Sequence, residues 1–454
     1  MDFFRRPGPR WLLAGLALLV LLTWYASWKS LSLERRPAAV TSSIAAQAAI
    51  RQHEYDSLTF AIEQPSSMDS ALQRPLRVLQ EQRGVALSAM LSLNTQLADR
   101  DRARIEAFAV PAMAAVAAPA DSVQVPVYFG TTRRIHGGTS WDGYFENVES
   151  SPVALTYGRA LVSVPAGLRP GTSDGRGWCR KLGPLQCAKT PANSIMIVDL
   201  ATLPEPQWHQ ALNAAIGPAG GRNDLLLYVH GFNNSFTDAV TRAAQMAHDV
   251  GFEGTVAAFD WASLHGGVTT YKADETIAKA SATQLQEFLG ELATQATLGR
   301  VIIVAHSMGT RVTSYAIRDL SAHWPRLVLG QVVFAASDID SATFVTQLAA
   351  SVRGRAERLT LYGSARDRAI LASKKVVHGS RSRVGSGPPS IVMLDGVDYV
   401  DASGVDTDLI GHAYVAENEK LLNDLFYLLQ RRLPASKRFL DPVPYPPGEY
   451  YRFR

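Results

Sequence analysis

The stretch VIIVAHSMGTR, Val301 to Arg311, decides the fold. Its unbroken apolar run predicts a strand buried on both faces. Ser307 follows at once, and a helix is predicted from Thr310. A serine at such a strand-to-helix turn is held in a strained backbone conformation, with its hydroxyl presented above the sheet. The turn needs small residues two before and two after the serine, because strand and helix pass close by. Ala305 and Gly309 occupy those positions. The usual pattern has Gly at both, so Ala305 departs from it by one methyl group. The helix start directs the Met308 N–H toward an oxyanion forming at Ser307.

Working outward, apolar strands alternate with helices. LLLYVHGF (225–232), TVAAFDW (255–261), QVVFAA (331–336), RLTLYG (358–363) and SIVML (390–394) read as strands. Helices are expected over 236–250, 276–292 and 414–429. Upstream, VQVPVYFG (123–130), the run 154–167 and SIMIVDL (194–200) are shorter β-rich segments bounded by Gly and Pro. Together they predict an α/β-hydrolase fold, a mostly parallel sheet with helices on both faces.

The fold order assigns the remaining roles. The second oxyanion donor comes from a loop after an earlier strand, usually past a His-Gly pair. Here that pair is His230-Gly231, which makes the Phe232 N–H the expected donor. His230 itself is expected to be structural. Asn233 and Asn234 are expected to orient the loop or cap the next helix. Three histidines follow Ser307: His323, His378 and His412. Only His412 lies after the expected last strand and before the closing helix, where the base belongs. Asp367, just past the strand at 358–363, takes the customary place of the acid. Asp338, one strand earlier, is the alternative.

The N-terminus carries a different signal. Arg5, Arg6 and Arg10 precede an apolar run from Trp11 to Trp28, long enough to cross a bilayer as a helix, with Trp24, Tyr25 and Trp28 at its far end. The reading is a signal anchor over 1–29 in a bacterial inner membrane, single-pass, with the remainder periplasmic. Export after signal-peptide cleavage is the alternative. Residues 30–122 read as a helical spacer and linker, 123–433 as the catalytic domain and 434–454 as a C-terminal tail. Cys179 and Cys187 are too few and too isolated for a zinc site, and form a disulfide candidate only in an oxidising compartment. The net charge of +4 on 454 residues, with scattered Arg and Lys, gives no nucleic-acid signature.

Several segments also resemble a bacterial family of α/β hydrolases of unknown function. They are VPVYFGTTRR, LTYGRALVSVPAG, LLLYVHGFNNSFTDAVTRAAQMAHDVGF, FDWAS, VIIVAHSMGTR, FAASDID, RLTLYGSARDRAI and GVDYVDAS…GHAYV. The resemblance spans about residues 124–432. It implies the same fold and places Ser307, Asp367 and His412 at matching positions. FDWAS (259–263) departs from it, since Ser is expected before the Trp and Pro after it. The combined expectation is a serine hydrolase that cleaves carboxylic esters or thioesters of a small or lipid-like acyl substrate. An amidase or peptidase on the same triad, or a non-catalytic envelope module, is the alternative. No phosphate-binding loop, metal cluster or dinucleotide fingerprint is present, so no cofactor is expected. Residues 262–275 and 376–390 are candidate lid loops.

Overall fold

The computed structural model describes residues 122–454 apart from 138–140, 142, 167, 169, 171–189, 219–221, 321–323, 325–326, 374–380 and 406–418. The chain divides into Met1–Arg104 and Ile105–Arg454, and every described residue lies in the second unit. The N-terminal apolar run, both cysteines, His323, His378 and His412 therefore fall outside the described residues. Among the described residues, no helix is long and apolar enough to cross a membrane.

One eleven-stranded sheet dominates, in the order β12-β13-β11-β10-β9-β8-β6-β7-β1-β4-β5. Its parallel centre is built from β6 (Leu225–Val229), β7 (Thr255–Asp260), β8 (Arg300–His306), β9 (Val328–Ala335), β10 (Ala356–Gly363) and β11 (Val397–Asp401). On one side β1 (Ser122–Thr131) joins β7 in parallel, and β4 (Thr156–Pro165) and β5 (Met196–Thr202) add antiparallel strands. A separate ribbon pairs β2 (Arg133–Ile135) with β3 (Phe145–Glu149).

The central strands are apolar throughout because both faces are covered. On one face, Leu226, Tyr228, Ile302 and Val304 pack with α2 (Phe236–Asp249) and α8 (Glu419–Leu429). On the other, Leu225, Leu227, Val301, Ile303 and Ala305 pack with α1 (Glu205–Ile216), α3 (Tyr271–Ala280), α4 (Ala282–Ala293), α5 (Gly309–Arg318) and α6 (Ala349–Arg355). Each fully buried aliphatic side chain contributes roughly 1.5–3 kcal/mol to this core.

The structure departs from the sequence expectations in three places. The helix expected over 276–292 is two helices that meet at Ser281, whose hydroxyl donates to the Ile277 carbonyl at 2.9 Å and competes with the helical ladder. Residues 390–394 form no strand. The Val397 N–H returns to the Leu394 carbonyl around Gly396 (φ +71°), and the last parallel strand starts only at Val397. Val392 still buries its side chain, so an apolar run that looked like a strand is satisfied by packing alone. Residues 434–454, expected as a C-terminal tail, join the sheet. They contain the hairpin β12 (Leu440–Tyr445) and β13 (Gly448–Phe453), and β13 pairs with β11 through Val400 and Tyr451.

Candidate active site

Strand order creates the crevice. From β6 the chain moves to β7, then returns across β6 to β8 and continues to β9. Connections leave β6 and β8 in opposite directions, which makes their carboxyl ends the topological switch point, where α/β sheets bind ligands. The His230-Gly231-Phe232 loop follows β6 and Ser307 follows β8.

Ser307 has φ +51°, the left-handed region that a residue with a β-carbon enters only when its surroundings enforce it. Its N–H donates to the Ala335 carbonyl at 2.9 Å, which ties the turn to the end of β9. Its carbonyl accepts from the Thr310 hydroxyl at 2.6 Å and from the Thr310 N–H at 3.1 Å. A β-carbon at position 309 would lie 2.3 Å from the His230 carbonyl oxygen, so Gly309 is required. Ala305 is fully buried between β6 and β9, and its methyl group is absorbed by the core. Gly231 lies close against Ser307, its hypothetical β-carbon 2.8 Å from Ser307 Cβ.

The loop from His230 to Asn234 is held by its neighbours. The Asn234 side-chain amide donates to the carbonyls of Gly231 (3.2 Å) and Phe232 (2.8 Å). Asn233 (φ +58°) receives the Gly267 N–H on its side chain, and its own N–H donates to the Ser263 hydroxyl. The helix cap belongs to Ser235, in a capping box with Asp238. Neither the Phe232 nor the Met308 N–H has an acceptor among the described residues.

His230 is fully buried, its Nδ1 2.8 Å from the Gly231 carbonyl and its Nε2 3.0 Å from Asp260 Oδ1. Its ring stacks on Trp261 at 5.1 Å. Asp260 also receives Arg133 Nε, at 2.8 and 3.0 Å, and the Thr131 hydroxyl. Burial alone would raise the Asp260 pKa, but the Arg133 charge and the His230 contact outweigh it and hold the carboxyl below its usual value. Arg133 further binds the carbonyls of Asn234, Trp261 and Ser263, so one guanidinium fixes the base of the whole loop cluster. Asp260 stands where the resembled family was expected to have Ser, and it anchors this network.

The two acid candidates differ in setting. Asp338 follows β9, and its N–H reaches the Ser307 carbonyl at 3.4 Å. Its carboxylate receives the Tyr271 hydroxyl on one oxygen and the Ser373 hydroxyl, at 2.7 Å, on the other. Arg383 Nε and Arg311 Nη2 lie 3.7 and 3.9 Å away. Tyr271 in turn packs on the Phe232 ring, with centroids 5.2 Å apart. Asp367 follows β10, is fully buried, and caps α7 (Arg368–Ala372) through Oδ1 and the Ile370 N–H. His412 belongs to the chain between β11 and α8.

Of the lid candidates, 262–275 is tied to Asn233 through Ser263 and Gly267 and is braced internally. The Ser263 hydroxyl and the Leu264 N–H both bind Asp274. Residues 381–386 bridge onto 337–341 through Val384 N–H to the Ile339 carbonyl and Ser341 N–H to the Ser382 carbonyl, each 2.9 Å. Arg133, Tyr271, Arg311 and Arg383 had no sequence signal that linked them to this region, since their partners lie far away in the chain.

One group of metal-ligand type exists among the described residues: Glu205, His209 and Glu291, with one ligand atom each within 4.8 Å of one another. It lies on α1 and α4, not on the loops around Ser307. His209 Nε2 is 2.9 Å from Glu291 and its Nδ1 meets the Gln295 amide at 2.7 Å, an ordinary surface His–carboxylate pair.

Residues 210–432 match the model of a family described as "Alpha/beta hydrolase of unknown function (DUF900)". That segment of the chain is similar to this family. The match takes in β6 to β11, Ser307 and every other residue singled out above as a triad or oxyanion candidate. A solved structure from Lactobacillus plantarum WCFS1, provisionally described as a cell surface hydrolase, is 13% identical over 48% of this chain and 96% of its own, with a TM-score of 0.30. A likeness that weak carries no argument. No curated protein matches the chain. The α/β-hydrolase fold and a mostly parallel sheet are thereby established on the family match and the strand order together.

Proposed function

We propose that this α/β hydrolase is a serine hydrolase that cleaves carboxylic esters or thioesters through an acyl-enzyme on Ser307. The observation that carries the reading is the left-handed backbone of Ser307 at the β6/β8 switch point, with Gly231 packed against it. Strain of this kind costs about 1–3 kcal/mol, and such residues cluster at functional sites. The Phe232 and Met308 N–H groups, without acceptors among the described residues, support their role as oxyanion donors.

In this mechanism His412 takes the Ser307 proton as the hydroxyl attacks the acyl carbon. The oxyanion forms against Phe232 and Met308. His412 then gives the proton to the leaving alkoxide or thiolate. Water, deprotonated by the same imidazole, releases the acid and restores Ser307. Asp367 orients the imidazole. Asp338 is the alternative acid, with the Tyr271 and Ser373 hydroxyls donating to its two oxygens. It serves better as the anchor that holds Tyr271 against Phe232.

A fluorophosphonate probe tests the reading. Labelling of the wild-type chain that disappears in Ser307→Ala and His412→Ala supports it. Equal labelling of Ser307→Ala would refute it. Turnover of acyl esters against matched peptide amides then separates ester from amide specificity.

The Trp11 to Trp28 run, with Arg5, Arg6 and Arg10 before it, supports a signal anchor that places the hydrolase in the periplasm at the inner membrane. Resistance of the protein to alkaline carbonate extraction, lost on deletion of residues 1–29, is the expected result.

A further inference from the structure

Beside the Ser307 turn lies a cavity of about 200 Å³ lined by charged groups. Arg311, Arg381 and Arg383 contribute guanidinium groups, and Glu275 and Asp340 contribute carboxylates. Arg383 is 1% exposed, yet among the described residues its buried Nε and Nη2 have no hydrogen-bond acceptor, and neither has Arg311 Nε. Native structures rarely leave buried N–H groups in this state, because each forfeits its hydration without compensation.

The neighbouring acids are already engaged. Glu275 meets Arg311 Nη1 at 2.8 Å. Asp340 Oδ1 accepts the Thr343 N–H and hydroxyl at 2.9 and 3.0 Å. Asp338 accepts Tyr271 and Ser373 and stays 3.7 Å from Arg383 Nε. Burial lowers the pKa of both Arg311 and Arg383, more than the neighbouring carboxylates raise it. The walls are preformed, since the Asp340–Arg383 bridge and the Val384 and Ser341 backbone bonds fix one side.

We propose that this cavity binds an oxyanion, the phosphate or carboxylate group of a small ligand, between Arg383, Arg311 and Arg381. A planar fork with unspent N–H groups matches either anion with short charge-assisted bonds. The site stands whether or not Ser307 is a nucleophile. Its position along α5, one turn from that serine, makes the anionic end of a substrate or of an effector its natural occupant.

Titration calorimetry on the full-length protein tests it, with inorganic phosphate and with succinate as separate probes at constant ionic strength. Saturable one-to-one binding of at least one probe is expected, and the better probe identifies the phosphate or the carboxylate as the source. Arg381 is exposed, so Arg381→Gln leaves the fold intact and is expected to weaken binding at least ~10-fold. Arg383→Gln is expected to abolish it, with Arg311→Gln as the second variant should Arg383→Gln fail to fold. No saturable binding of either probe, or unchanged affinity in Arg381→Gln, overturns the proposal.

Discussion

Gly231 and Ser307 are in such close apposition that a β-carbon on the glycine would lie 2.8 Å from Ser307 Cβ and 3.0 Å from the His306 carbonyl oxygen. The His306 ring nitrogen, also 3.0 Å away, can turn aside, but the Ser307 β-carbon and the His306 carbonyl cannot, so the Gly231 loop itself has to move. Gly231→Ala is therefore expected to withdraw the Phe232 N–H from the reacting oxygen while the sheet stays folded. Loss of one oxyanion donor costs about 10²–10³ in turnover. Steady-state hydrolysis of an activated ester, with far-UV circular dichroism as the folding control, checks this. Turnover within threefold of wild type would remove Phe232 from the mechanism.

The acid assignment separates by variant. Asp367→Asn is expected to lower kcat by about 10³–10⁴, the effect of a misoriented imidazole. Asp338→Asn keeps a group of the same shape and leaves the imidazole alone. Its expected effect is below about tenfold on kcat, together with a lower midpoint in urea from the weakened Tyr271 and Ser373 contacts. The reverse ranking would move the acid one strand earlier.

How much of this was legible beforehand follows from where the information sits in the chain. β6, β8 and β9 were readable because strands covered on both faces show as unbroken apolar runs. The strand-to-helix turn at Ser307 was readable because its requirements are local, Ala305 and Gly309 within two residues of Ser307. Arg133 was not, because its partner Asp260 is 127 residues away and neither residue advertises the other. The residues 390–394 misled because an apolar run that packs without pairing has the same composition as a strand. The C-terminal hairpin was hidden by Pro442 and Pro444, which look like breakers. In β12 they are tolerated because this strand is the sheet's edge and has one neighbour only.

The Arg133–Asp260–His230 cluster predicts an acid limit to stability. The Asp260 carboxyl is held below its ordinary value in the folded state, so its contribution is complete above about pH 4, the ordinary value of an Asp. It is lost as the pH falls through the depressed folded value. Asp260→Asn should lose stability at pH 7, because it leaves the Arg133 charge buried and unpaired, at a cost of about 3–5 kcal/mol. The same variant should show a flatter fall in stability below pH 4. Urea unfolding at pH 7 and at a series of acid values measures both. An unchanged acid slope would mean that other carboxylates set the limit.

The C-terminal hairpin is expected to be part of the folding unit. Asp424 on α8 accepts the Tyr362 hydroxyl at 2.6 Å and Arg438 Nη1 at 2.9 Å, and Arg438 also donates to the Tyr362 oxygen at 2.9 Å. All three side chains are buried, so the segment after α8 is riveted to β10 in the middle of the molecule. Burial pushes the Tyr362 hydroxyl well above its usual pKa and raises that of Asp424, yet Arg438 supplies the charge that keeps the carboxylate tolerable. Removing Arg438 alone leaves Asp424 buried without its cation, which costs about 3–5 kcal/mol. Truncation after Leu433 takes away Arg438 and both strands of the hairpin, and exposes the β11 edge that β13 covers. The truncated chain should therefore be recovered as aggregate, and Arg438→Met as a folded protein with a markedly lower urea midpoint. A soluble truncated chain with the wild-type midpoint would show that the hairpin adds nothing to the core.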